Sequence, residues 1–198
     1  KPIGYYLASY CIVLTNGYLG SYRRIKRCEQ VDVGDVWHAY VRLSPEDPWY
    51  NDQTYVDVLN KEAIEEFIRV THERYYEVLG SEFGKSVPAI FTDEPQISRK
   101  SVLRFAEAER DATMSFTDDL PDTYYAAYGV DLLDVLPELF WELPDGKISQ
   151  ARYRYHDHLT ERFAAAFSDT LGKWCEERNL ALTGHFMSEA TLYSQVLA

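Results

Sequence analysis

The sequence predicts an α/β protein, a (β/α) barrel of the TIM type that is partial in extent and preceded by N-terminal β-strands. Three observations carry this expectation. Short Val/Ile/Phe-rich runs alternate with long amphipathic helical patterns, the strand, helix, strand order that builds parallel sheets. The run Val87-Pro88-Ala89-Ile90-Phe91-Thr92 stops on Asp93 and Glu94 ahead of Pro95, so acidic groups fall where a buried strand ends. The 198 residues suffice for one sizeable core but fall short of the roughly 250 of a complete eight-unit barrel.

Residues 1–35 read as β-structure of a different character, either the edge of a neighbouring domain or the barrel's first strands. Residues 36–198 read as the catalytic barrel region, itself incomplete. Within Tyr5–Leu19 the pair Asn16-Gly17 marks a two-strand hairpin. The same stretch, interrupted at Ser9, Thr15, Asn16 and Gly17, is too short and broken to span a bilayer. A basic cluster follows at Arg23, Arg24, Lys26 and Arg27.

From Trp37 a strand over His38–Leu43 runs into Ser44–Asp52, a loop rich in proline, acid and aromatic residues and so a candidate binding loop. Tyr55–Leu59 reads as another strand, with Asn60 capping the helix after it. In that helix Ile64, Phe67, Ile68, Thr71, Tyr75, Val78 and Leu79 share one face, and Gly80 ends it. The strand delivering Asp93 and Glu94 comes next, and proline predicts an extended backbone at Glu94. The long irregular region to about Asp122 reads as a substrate-covering excursion. A helical stretch over Tyr124–Phe140 is interrupted at Pro137. A long helix over Gln150–Arg178 carries the stripe Leu159, Phe163, Phe167, Leu171 and Trp174, and feeds a strand over Leu180–Phe186.

Twenty basic against 32 acidic residues give a net charge of −12, which repels nucleic-acid phosphates and anionic membrane surfaces. Neither nucleic acid nor membrane is therefore expected as a partner, and neutral or cationic ligands are favoured. The 16 tyrosines and 4 tryptophans suit stacking on sugar rings as well as ordinary burial. Cys11, Cys28 and Cys175 show no metal-ligand or disulfide spacing. HExxH, GxSxG, P-loop and GxGxxG patterns do not occur, which argues against zinc proteases, serine hydrolases and nucleotide enzymes. The chain starts at Lys1 without a basic-then-apolar leader, so an excised fragment without a visible signal peptide is the expectation, with a cytoplasmic location slightly favoured.

Glu94 and Glu189 each lie at or just beyond the carboxyl end of an expected barrel strand. Two carboxylates converging on one mouth can cleave a glycosidic bond, one protonating the leaving oxygen while the other activates water or attacks. With 32 acidic residues, some would fall at strand ends by chance. Asp93 competes for either role, but neighbouring strand residues point to opposite faces, so only one of Asp93 and Glu94 should aim into the site, and Asp93 could instead cap the following turn. Asp57 is a candidate for a sugar hydroxyl or a cation, or a plain surface acid. His185 could hydrogen-bond a hydroxyl or orient a carboxylate. Trp49, Tyr50 and Asn51 could form a sugar platform or merely anchor their loop. His72, His156 and His158 fall on helices and read as structural or solvated.

Tyr55-Val56-Asp57-Val58-Leu59-Asn60, Thr71-His72-Glu73-Arg74-Tyr75-Tyr76, Ile90-Phe91-Thr92-Asp93-Glu94-Pro95 and the later Thr183-Gly184-His185 with Glu189 together resemble bacterial glycoside hydrolases of the α-L-rhamnosidase type, glycoside hydrolase family 106 and its relatives. The resemblance spans roughly residues 37–190. It implies a (β/α)8 barrel with accessory β-domains, supplied by the remainder of a larger chain, and hydrolysis with inversion assisted by calcium. Glu94 would match the acid and Glu189 the base that activates water. Without hydrolysis, the alternatives are a carbohydrate-binding module or a structural fragment that folds against its missing domains.

Overall fold

The computed structural model describes residues 4–95, 97 and 100–185. The chain forms two compact units, one of Lys1–Tyr55 with Arg99–Asp157 and one of Val56–Ser98 with His158–Ala198.

The first unit is built on three antiparallel strands, β1 (Gly4–Thr15), β2 (Tyr18–Ile25) and β3 (Asp35–Arg42), in the order β2-β1-β3. The Asn16-Gly17 turn closes the β1/β2 hairpin with φ of 52° and 80°, the left-handed pair that asparagine and glycine tolerate best. Ala8 to Ile12 are all buried along β1, with Ala8, Tyr10 and Ile12 on the inner face and Ser9 and Cys11 on the other. The Tyr10 hydroxyl donates to the Leu133 carbonyl at 2.6 Å, and Trp37 meets Trp141 edge to face with centroids 4.9 Å apart.

The first contact is to α4 (Leu132–Val135) and the second lies just beyond a 3-10 turn over Leu136–Leu139; α3 (Leu120–Tyr128) precedes both. The helix expected over Tyr124–Phe140 is thus divided. Gly129 terminates α3 at φ 67°, and the Asp131 side chain caps α4 by accepting from the Leu133 amide. Leu120, Leu132 and Leu139 are fully buried, each contributing roughly 1.5–3 kcal/mol relative to exposure. The long irregular region is tied to this unit, since Trp141 Nε1 donates to the Ala106 carbonyl at 2.9 Å and the Tyr155 hydroxyl to the Ser115 carbonyl at 2.8 Å.

In the second unit Asn60 caps α1 (Lys61–Val70), its side chain accepting from the amides of Glu62 and Ala63. The expected single helix breaks at Thr71, whose hydroxyl donates to the Phe67 carbonyl, and α2 (His72–Leu79) starts afresh. The stripe divides accordingly. Ile64 and Ile68 are buried, whereas Tyr75 and Val78 are exposed.

A continuous helical run comprises α5 (Gln150–Phe163), a π-turn over Ala164–Ser168 and α6 (Asp169–Glu176). Leu159, Phe163, Phe167, Leu171 and Trp174 are buried along it, matching the stripe read from the sequence. Glu73 Oε1 accepts from both Trp174 Nε1 at 2.6 Å and Arg178 Nη2 at 2.7 Å, fastening α2 to the end of this run. The strands β4 (Ala89–Asp93) and β5 (Ala181–His185) pair in parallel.

The expected TIM-type barrel is not what the chain forms. Among the described residues the strands make one three-stranded antiparallel sheet and one two-stranded parallel sheet, and no barrel closes. The strand expected over His38–Leu43 belongs to β3 and pairs antiparallel with β1. Tyr55–Leu59, expected as a strand, contains a turn instead. There Asp57 Oδ1 accepts from the Leu59 amide at 3.0 Å and Arg162 Nη2 donates to the Leu59 carbonyl at 2.8 Å. An aspartate offering its own carboxylate to the amide two residues on competes directly with a strand ladder. Among the described residues no helix is long and apolar enough to cross a membrane.

Candidate active site

The parallel pair brings two chain ends together. Register places Asp93 opposite His185, so both strands finish side by side at their carboxyl ends. This approach depends on Gly184, at φ 141°, where a Cβ would lie 1.9 Å from the Thr92 carbonyl oxygen. A glycine inside a strand marks such close backbone passage.

The side chains of Asp93, His185 and Phe91 and the Glu94 backbone amide meet at this end. His185 Nε2 lies 3.3 Å from Asp93 Oδ1. The His185 ring also meets Phe91 edge to face at 5.5 Å. The Glu94 amide donates to the His185 carbonyl at 2.9 Å, carrying the ladder one residue past β4. Both side chains of the Asp93–His185 pair are partly solvated, so its ionic form adds about 0–1 kcal/mol to stability. Its value is in fixing the imidazole's direction.

Glu94 departs from expectation. Proline at 95 predicts an extended backbone, yet φ is 45°, in the left-handed region. A non-glycine residue held there costs on the order of 1–3 kcal/mol and persists where its surroundings over-determine it. Here the bond from the Glu94 amide to the His185 carbonyl supplies the constraint, against the extended preference that Pro95 sets. Such strained positions cluster at catalytic and ligand-holding sites.

The structure thus joins Asp93 and His185 through their side chains and Glu94 through its backbone amide. Asp57 lies in the turn before α1, its carboxylate turned to its own backbone. Trp49, Tyr50 and Asn51 belong to the first unit. Pro48–Tyr50 form a 3-10 turn capped by Asp47, whose carboxylate accepts from the Trp49 amide at 2.8 Å, and Asn51 follows at φ 55°. Tyr50 packs on Tyr55 with centroids 5.1 Å apart, while the Trp49 indole is 86% exposed. Glu189 lies outside the described residues.

Among the described residues no three His, Cys, Asp or Glu side chains gather as a metal site. Calcium takes 6–8 oxygen ligands, and Asp93 with Glu94 offer too few for any residue here to be assigned to it. Sequence reasoning missed the Asp93–His185 pairing and the left-handed Glu94. Gly184 was the available signal, because glycine one residue before a strand's end announces that two backbones touch. No family model, curated protein or solved structure matches this chain.

Proposed function

We propose that this chain is a glycoside hydrolase, or the piece of one that carries its acid, acting on a carbohydrate substrate such as an α-L-rhamnoside. In this reading Glu94 protonates the leaving oxygen, Glu189 activates water, and His185 with Asp93 contacts the sugar. The observation that supports it is Glu94's strained backbone at the carboxyl end of a parallel strand pair, the edge where α/β folds hold their ligands.

The full chain assayed against nitrophenyl glycosides, the α-L-rhamnoside included, tests this. Glu94→Gln should lower kcat about 10²–10⁴-fold, the range of general acid catalysis, with an unchanged circular dichroism spectrum. Turnover near the wild-type value in that variant overturns the assignment. A second reading, sugar binding without hydrolysis, is favoured by the rigidly turned, exposed Trp49. Oligosaccharide affinity that falls in Trp49→Ala but survives Glu94→Gln and Glu189→Gln, with no reducing sugar released, would select it.

A further inference from the structure

The outer face of the three-stranded sheet carries a second constellation, in the first unit and independent of Glu94. The cross-strand partners Tyr6 and Tyr40 meet edge to face at 5.7 Å. Beyond the end of β2, Arg27 places its guanidinium carbon 4.8 Å from the Tyr6 centroid and 5.9 Å from that of Tyr40. Its neighbours are otherwise engaged, since Arg23 pairs with Glu29 and Arg24 with Asp131 and Asp134. Among the described residues Arg27 has no carboxylate partner, so a guanidinium set against two rings keeps N–H groups for a ligand. Those groups fit a carboxylate through two parallel hydrogen bonds.

His38 flanks the same Tyr40 ring at 6.4 Å. Its Nδ1 lies 2.6 Å from the fully buried Ser9 hydroxyl, which in turn lies 2.8 Å from the Tyr6 hydroxyl. A relay in which Tyr6 donates to Ser9 and Ser9 to Nδ1 leaves the imidazole proton on Nε2, a second donor at the exposed side. Tyr40 is 53% exposed, leaving ring surface free for an apolar or sugar face.

We propose that Arg27, His38 and Tyr40 form a binding site for a ligand bearing one carboxylate on a ring, the acid taken by Arg27 and His38 and the ring by Tyr40. The net charge of −12 selects against polyanions. A single carboxylate seated on a local cation escapes most of that field, which is screened beyond about 8 Å at physiological salt.

The test is side-chain nitrogen NMR of the full chain, following Arg27 Nε and the His38 ring during titration with sodium D-glucuronate, benzoate, acetate or D-glucose at constant ionic strength. Saturable shifts with glucuronate or benzoate, absent with glucose and weaker with acetate, support the site. Glucuronate alone would identify an acidic sugar as the source, and benzoate alone an aromatic acid. Arg27→Lys should weaken binding about tenfold, the loss of one bidentate contact. Tyr40→Ala should abolish the preference for ring-bearing acids over acetate. Equal shifts with all three acids, none with any, or undiminished binding in Arg27→Lys would overturn the proposal. These substitutions are at exposed positions, and none touches Glu94, so a failed glycosidase assay and a failed titration are separate results.

Discussion

A methyl group at position 184 has nowhere to go. It would meet the Thr92 carbonyl oxygen at 1.9 Å on a backbone already at φ 141°, so Gly184→Ala should cost about 2–4 kcal/mol by forcing β5 away from β4. Urea denaturation would measure this, and loss of the Glu94 amide's exchange protection would locate it. Glu73→Ala removes the shared acceptor of Trp174 and Arg178. It should cost about 2–3 kcal/mol, and Glu73→Gln less, because an amide oxygen still accepts from the indole. His72 is buried against Phe67 and Trp174, and burial holds its pKa below the usual imidazole value. The folded chain therefore binds that proton less readily than the unfolded one. Its contribution is intact above the unfolded value of about 6.5 and is lost as pH falls through the folded one. Urea midpoints from pH 7.5 down to pH 5 should fall less steeply in His72→Gln than in the wild type, and parallel curves would refute the role.

Whole elements differ in how plainly the sequence announces them. The β1/β2 hairpin was legible because Asn16-Gly17 is a local signal, needing no knowledge of the rest of the chain. The Gln150–Glu176 helix was legible from its stripe, but its π-turn was not, because one extra residue in a run of alanines leaves the apolar spacing almost undisturbed. That extra residue sets where α6 points its side chains. Deleting Ala165 should convert the π-turn to α-helix and rotate Leu171 and Trp174 by about 100° relative to α5. The deletion should therefore abolish cooperative unfolding of the second unit, measurable by tryptophan fluorescence. The break at Thr71 was hidden for another reason. Helical periodicity continues across it, and only a threonine hydroxyl bonding back to the Phe67 carbonyl divides the element. At the candidate site, strand-end acids and His185 were visible as residue types in position. The left-handed Glu94 was not, because the local preference imposed by proline is overridden by a backbone bond from a residue 91 positions on.

The whole molecule was mispredicted as a barrel for a reason of scale. Strand, helix, strand order is a local statement, whereas closure requires every strand to pair with two neighbours. His38 to Leu43 found an antiparallel partner in β1, and Asp57 turned its own segment into a loop. The two sheets that result are unequal in security. β1 is hydrogen-bonded on both sides, while β4 and β5 among the described residues pair only with each other and leave Phe91 exposed. Parallel pairs are ordinarily covered on both faces, and two strands alone are marginal. Hydrogen exchange should thus be faster at Ile90–Thr92 than at Tyr10–Ile12, and equal protection would show that the small sheet has additional cover. The interleaving of the two units also dictates a timetable. Strands β1 to β3 are complete at residue 42, yet the residues that bury their inner face arrive only with Arg99–Asp157. At about 5–20 residues per second on the ribosome, that sheet waits roughly 5–20 s with its apolar side uncovered. During synthesis, the hairpin that reads most clearly in the sequence is the part of this chain that most needs a chaperone.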